Sequence, residues 1–158
     1  MTTSSGLELG IPQEIRDQAL AYLVVVLESA RPERLDEDTE ALATHLAELG
    51  AMDVYVLPEA AAAQIIELRE RAFWLAKANG ANDIVDTVVP RAAIPEFMAK
   101  VSAVAAETGS WIAGCGHAGD GNVHLGIFQA DPEARSRVLH GVFTAAMEVG
   151  GTISGEHG

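Results

Sequence analysis

The chain has few basic residues, a single cysteine and no long apolar run. Its 158 residues include 10 Lys and Arg against 23 Asp and Glu, which gives a formal net charge of −13. A surface this acidic repels nucleic acid and anionic lipid, so neither is an expected partner. It also repels an anionic substrate at long range. A bound carboxylate would therefore need a local positive charge, supplied by a cation or by an arginine.

The lone cysteine, Cys115, excludes an internal disulfide and fits a reducing compartment. We expect it to be a small buried side chain at a strand end. The most apolar run, residues 21–27, is far too short to cross a bilayer. Residues 1–10 lack the basic start and apolar stretch of a signal peptide. The sequence therefore predicts a cytoplasmic chain without membrane insertion, with a loose lead-in over residues 1–12 followed by one domain over residues 13–158.

The spacing of apolar residues predicts an alternation of strands and helices. Alternation normally suggests a parallel α/β sheet, but a hairpin at 111–128 favours antiparallel pairing. We expect an α+β fold, ferredoxin-like, with a largely antiparallel sheet and helices packed on one face, although the pattern alone leaves the parallel alternative open. The predicted strands are 22–28, 53–57, 83–90, 111–115 and 122–128, and the predicted helices are 36–49, 59–79, 95–108 and 131–149.

Two histidines flank the turn of that hairpin, in the segment HAGDGNVH (117–124). Alternate side chains of a strand share a face, so His124 should point away from the branched aliphatic residues beside it. His117 lies on the opposite arm, and Gly119 and Gly121 supply the backbone freedom for the reversal. The two imidazoles can therefore converge on one metal ion. The same spacing also fits a hairpin that binds nothing, and spacing alone leaves both open.

Two histidines make an incomplete metal site, and Glu156 in the terminal SGEHG segment is the best candidate for a third ligand. A His₂Glu set with open positions is catalytic-type coordination for zinc, and it also suits manganese or iron. We expect Asn122, which begins the second strand of the hairpin, to contact the substrate.

HAGDGNVH (117–124) and GGTISGEHG (150–158) together resemble the C-terminal domain of FAD-linked oxidases. The resemblance is strongest to glycolate oxidase flavoprotein subunits, D-lactate dehydrogenases and D-2-hydroxyglutarate dehydrogenases. It extends to YLVVVLE (22–28), LRERAFW (68–74) and DTVVPRAAIPEFM (86–98), so it covers nearly everything after residue 12.

The resemblance implies a role for each matching residue. His117, His124 and Glu156 would bind a divalent metal, and His157 would be the active-site base. Arg69 would hold the substrate carboxylate. Its position fits this role, because it lies at the edge of the apolar stripe of its predicted helix.

Two departures from the D-2-hydroxyglutarate dehydrogenase pattern bear on the substrate. Ile84 stands where those enzymes carry a lysine, and Gly126 stands where they carry an asparagine. Both differences remove groups that would bind a second carboxylate. A small monocarboxylic 2-hydroxy acid, such as glycolate or D-lactate, therefore fits better.

The resemblance also implies FAD, bound by an N-terminal domain that this sequence does not contain. No glycine-rich pyrophosphate loop is evident here. We therefore expect a substrate- and metal-binding domain, truncated at its C-terminal end and inactive by itself, whose partners are a 2-hydroxy acid and the missing FAD domain. Homo-oligomer formation stays open. Two alternatives are a stand-alone domain that binds metal or hydroxy acid, or pairs with a separate flavoprotein, and a structural domain with an empty site.

Overall fold

A computed structural model of the chain describes residues 13–19 and 21–154. The lead-in predicted at 1–12 lies outside the described residues, as do Glu156 and His157. The chain divides into two compact units, residues 1–65 and 66–158, and each is described by itself. None of the helices in the described residues combines the length and apolar character that crossing a bilayer requires.

The first unit is helical where it has regular structure. Helix α1 spans Gln13–Gln18, and helix α2 spans Pro32–Glu48. Helix α2 begins four residues before the predicted start at 36, because Pro32 preforms its first turn. Gly50 follows its end with φ 89°, which confirms the predicted stop. Helix α3, Glu59–Glu70, runs across the boundary between the units.

The strands predicted at 22–28 and 53–57 are wrong. Both segments are irregular, and large apolar side chains such as Leu23 and Val56 are exposed. β-Branched and aromatic residues make a segment suitable for a strand, but a strand forms only when its backbone pairs with another. No strand within the described residues pairs with either segment.

The long helix predicted at 59–79 is divided in two. Helix α3 ends at Glu70, and helix α4 spans Ala72–Ala78, with Arg71 between them. No glycine or proline lies near Arg71, so the interruption has no signal in the neighbouring residues. Both halves are helical, as predicted.

The second unit contains a four-stranded sheet. Its strands follow the order β2-β3-β1-β4, and every neighbouring pair is antiparallel. The chain order βαββαβ with this strand order is the ferredoxin-like arrangement, so the predicted α+β class is confirmed. The terminal strand β4 was not predicted. The elements are β1 Asp83–Val88, a 3₁₀ turn Arg91–Ala93, α5 Ile94–Thr108, β2 Trp111–His117, β3 Asn122–Phe128, α6 Pro132–Glu148 and β4 Thr152–Ser154.

Helices α5 and α6 cover one face of this sheet. Leu125 and Ile127 of β3 point into that layer, where they meet Phe97 of α5 and Val138 of α6, and all four are fully buried. Helix α6 begins as predicted, since the Asp131 side chain accepts a hydrogen bond from the amide of Ala134 at 2.7 Å. The apolar alternation of β3 therefore fixes which face of the sheet remains for polar residues.

The opposite face of the sheet is approached by α4 at one end. A Cβ built on Gly126 would lie 3.6 Å from the Cβ of Ala76, so the helix is in van der Waals range of β3. Gly126 and His124 are two residues apart on one strand and share this face. Helix α4 therefore borders the face that carries the predicted site.

Replacing Val142 by alanine should test the packing of α6 on the sheet. Val142 is completely buried, and alanine is a better helix former, so any loss of stability reports lost packing. We expect the free energy of unfolding in urea to fall by about 2 kcal/mol. Met147→Ala on the same helix, where the side chain is 64% exposed, is the matched control and should change it by less than about 0.5 kcal/mol. Equal losses would contradict the assigned face.

Candidate metal and substrate site

The hairpin of β2 and β3 is closed by the turn 118–121. The amide of Gly121 donates to the carbonyl of His117 at 3.1 Å, and the amide of Asn122 donates to the Asp120 carboxylate at 3.3 Å. Gly121 has φ 85°, which side-chain-bearing residues rarely adopt. Its carbonyl accepts a hydrogen bond from the amide of Val89 at 2.9 Å, so the turn is fastened to the segment after β1.

The register of the hairpin puts both histidines on one face. His124 pairs directly with Cys115, and His117 lies two residues beyond Cys115 on the same strand. Directly opposed and alternate residues share a face of the sheet. The helices α5 and α6 lie on the other face, so the predicted orientation of His124 is confirmed.

The two imidazole rings lie close enough to share a cation. Their centroids are 5.1 Å apart, and their planes are inclined by 76°. Two imidazoles that each bind one metal through a nitrogen at about 2.1 Å hold their ring centres about 5 Å apart when the angle at the metal is near tetrahedral. The separation of the rings is therefore compatible with a shared divalent metal.

His124 is also bonded to a residue that sequence reasoning missed. Its Nδ1 lies 2.6 Å from Oδ1 of Asp86, the residue directly opposite on β1. Both are buried, with 9% of His124 and 4% of Asp86 exposed. A carboxylate inside a strand of apolar residues was the available signal, because buried acids are rare unless paired. The partner could not be identified, since it lies 38 residues away in sequence.

His117 is held more loosely. Its Nδ1 lies 3.8 Å from a carboxylate oxygen of Asp120, and 36% of its side chain is exposed. Asp120 is itself 69% exposed. An exposed ion pair at this separation contributes little to the stability of the fold, because water screens the attraction between its charges.

Asn122 lies beside the histidine pair. It is buried, it pairs directly with His117 across the hairpin, and it shares the face of the histidines. Its predicted contact with substrate stays a prediction. Cys115 also lies on this face, and it is exposed rather than the buried side chain we expected. Strand β2 lies at the edge of the sheet, so its side chains have a neighbouring strand on one side only and stay accessible to water.

The remaining predicted residues are placed only in part. Arg69 lies in α3, and the position of its side chain is outside what the structure describes. Glu156 and His157 follow β4, whose last residue, Ser154, pairs with Asp86. Because neighbouring strands are about 4.8 Å apart, the Cα of Ser154 lies about 10 Å from that of His124, two strands away.

Among residues 13–19 and 21–154, no group of three or more His, Cys, Asp or Glu side chains could hold a metal ion. The segment after Ser154, which carries the predicted ligand Glu156, starts two strands away from His124. The prediction that Glu156 is this ligand is compatible with the arrangement and stays a prediction.

Residues 4–158 match the family described as FAD linked oxidases, C-terminal domain. The chain is 51% identical over its whole length to an uncharacterized FAD-linked oxidoreductase of Mycobacterium tuberculosis, of which it covers 34%. It is 32% identical to D-lactate dehydrogenase of Anaerostipes hadrus, over 93% of this chain and 33% of the relative. It is 31% identical to glycolate oxidase subunit GlcD of Escherichia coli, over 78% of this chain and 26% of the relative.

The chain thus spans about a third of the length of the curated relatives it matches, at 34% of the mycobacterial protein. The resemblance seen in HAGDGNVH and GGTISGEHG is confirmed by a match that extends over nearly all of the sequence. The chain belongs to the family of C-terminal domains of FAD-linked oxidases.

Proposed function

We propose that this chain is the substrate- and metal-binding domain of an FAD-dependent dehydrogenase of small 2-hydroxy acids. The observation that carries the proposal is the convergence of His117 and His124, at 5.1 Å between ring centres, on the sheet face away from α5 and α6. The similarity to D-lactate dehydrogenase and to a glycolate oxidase subunit supports the substrate class. The FAD would be bound by a domain outside this chain.

Each residue of the proposed site has one task. His117, His124 and Glu156 would hold zinc, manganese or iron. A cation there would act as a Lewis acid that lowers the pKa of the substrate hydroxyl, and FAD would supply the acceptor for the hydride from C2. His157 would take the hydroxyl proton, since imidazole is a competent base near neutral pH.

Arg69 would bind the substrate carboxylate through a forked pair of hydrogen bonds. A local positive charge is needed for this task because the chain carries a net charge of −13, which repels an anionic substrate, and Arg69 would supply it together with the cation. Asn122, buried beside His117, would supply a further polar contact with the substrate.

The sheet supports a monocarboxylic substrate. Ile84 and Gly126 are directly opposed on β1 and β3, on the face of His124. The directly paired residue on β2 is Ala113, so this row carries no charge that could bind a second carboxylate. Ala76 of α4 approaches the same row. Glycolate and D-lactate fit these surroundings better than a dicarboxylate does.

Flavin reduction in the FAD-loaded protein that contains this chain tests the proposal. We expect rapid bleaching of the flavin by glycolate or D-lactate, weak reduction by D-2-hydroxyglutarate, and loss of reduction when a chelator removes the metal. A panel of D- and L-2-hydroxy acids in a stopped-flow instrument makes the measurement. Reduction that is unaffected by thorough metal removal would contradict the proposed role of the histidine pair.

The same assay tests His157 as the base. In His157→Ala, the rate constant of flavin reduction should fall much more than the affinity for substrate, because a base acts in the transition state and not in binding. The concentration dependence of the reduction rate separates the two quantities. His140→Ala, on the exposed side of α6, is the control and should leave both unchanged. A full-rate His157→Ala protein would contradict the assignment.

A further inference from the structure

One row of directly paired residues crosses the whole sheet at the histidine site. It contains Cys115 of β2, His124 of β3, Asp86 of β1 and Ser154 of β4. Asp86 occupies the centre of this row, between the proposed metal ligand and the strand that leads to Glu156 and His157. The sheet therefore places one buried carboxylate directly between His124 and Ser154, the last residue of β4.

Burial makes the Asp86 carboxylate costly, so its position requires an explanation. An ionised group moved into a protein interior loses several kcal/mol, by order-of-magnitude estimates, and well-packed apolar residues often replace a buried ion pair without loss of stability. Valine or isoleucine at 86 would suit a central strand better. The fold alone does not need an acid here, which points to a task connected with His124.

The contact defines what Asp86 does to the ring. An ionised carboxylate only accepts hydrogen bonds, so with Asp86 ionised Nδ1 of His124 would donate in the 2.6 Å contact. In the neutral ring this puts the proton on Nδ1 and the lone pair on Nε2. The short bond also limits rotation of the ring about χ2. Metal-binding histidines commonly have this second partner, which fixes the tautomer and makes the ligating nitrogen more basic.

His117 provides the internal comparison. Its Nδ1 is 3.8 Å from a carboxylate oxygen of Asp120, whose side chain is 69% exposed, and its own side chain is 36% exposed. This separation is too long for a hydrogen bond. One histidine of the pair is therefore fixed by its acid and the other is not.

We propose that Asp86 is the positioning residue of the metal site, which presents Nε2 of His124 to the cation. The proposal rests on the proposed function, in that it takes His124 as a metal ligand. Asp86 acts through His124 and does not itself contact the metal. The ring of His124 is held in its ligating orientation before the metal binds, and the more exposed ring of His117 rotates to complete the pair.

The first test uses the metal-free chain. Nitrogen-15 spectra of the histidine rings report the tautomer of each neutral imidazole. We expect His124 of the wild type to carry its proton on Nδ1, and Asp86→Ala to move His124 toward the Nε2-protonated form. His117 should keep its tautomer in both proteins. A wild-type His124 protonated on Nε2 would overturn the proposal, even if no variant at 86 can be purified.

The second test measures affinity for Co²⁺ by competition with a chelating dye, with the visible spectrum of bound Co²⁺ as a record of its coordination. We expect a loss of about 10-fold in Asp86→Asn and up to about 100-fold in Asp86→Ala. The asparagine oxygen can still accept from Nδ1, but a neutral acceptor is weaker. Asp120→Asn is the matched control and should weaken binding by less than about fivefold, because its contact is exposed.

The outcomes separate this proposal from the proposed function. A wild-type chain that binds no Co²⁺ would overturn both. Tight wild-type binding that is unchanged in folded Asp86→Asn and Asp86→Ala would overturn only the role of Asp86. An equal loss in Asp120→Asn and Asp86→Asn would also overturn it, since any change of local charge would then explain the effect. Circular dichroism and urea unfolding identify variants that lose metal because they lose structure.

Discussion

Replacing either His117 or His124 by alanine is expected to abolish tight metal binding by this chain. The two rings lie 5.1 Å apart on the site face of the sheet. The loss of a ligand should exceed the loss of an outer partner, which is about 10–100-fold, so we expect affinity to fall by more than about 100-fold in each single variant. The double variant should bind no metal.

Metal content after equilibrium dialysis, together with titration by Co²⁺, measures the effect. His140→Ala is the matched control, because it removes an imidazole from the exposed side of α6 and leaves the sheet untouched. Retention of one bound metal in the double variant would mean that the cation lies elsewhere, and the proposed site would then be wrong. In the FAD-loaded protein, the same double variant should fail to reduce flavin.

Replacing Gly121 by alanine is expected to destabilise the second unit by about 3 kcal/mol, because two separate costs contribute. A residue with a Cβ pays about 1–2 kcal/mol for a left-handed backbone, and φ is 85° here. A Cβ at this position would also overlap the carbonyl oxygen of Val89, so the turn must move away from β1 and lose the hydrogen bond between Val89 and Gly121.

Urea unfolding, monitored by circular dichroism, measures the loss in the free energy of unfolding. Gly119→Ala, in the same turn, is the matched control: nothing lies within 4 Å of the Cβ it would introduce, and its φ is not positive. We expect the free energy of unfolding of that variant to lie within about 0.5 kcal/mol of the wild-type value. Because the turn sets the approach of the two rings, Gly121→Ala should also weaken metal binding. Two variants of equal stability would contradict the described attachment of the turn.

The elements that the sequence predicted well are determined by residues that are neighbours in the sequence. Strand β3 was predicted with its observed bounds, because the alternation in NVHLGIF and the glycines before it are features of neighbouring residues. Helix α6 was predicted from Asp131 and Pro132, which act within the first turn. The approach of the two histidines was also predictable, since a hairpin joins residues that are close in sequence.

The elements that the sequence predicted badly depend on distant partners. Residues 22–28 have the composition of a strand but no paired backbone among the described residues. Strand β4 is only three residues long, and it forms because β1 offers a pairing edge. Asp86 was missed for the same reason, because its role depends on a partner 38 positions away. Local pattern cannot supply pairings of this kind.

The brevity of β4 has a consequence for how the site could be regulated. Thr152–Ser154 pairs with β1 alone, so a few backbone hydrogen bonds determine how the chain that continues to Glu156 and His157 leaves the sheet. Short edge elements with few backbone hydrogen bonds open at a lower free energy than the core of a domain. If Glu156 is a metal ligand, as proposed, a solute that favours pairing of β4 would raise the apparent affinity for the cation, and one that frays it would lower that affinity, without contacting the histidines. The fraction of chains with bound metal and the fraction with β4 paired to β1 would then report the same equilibrium.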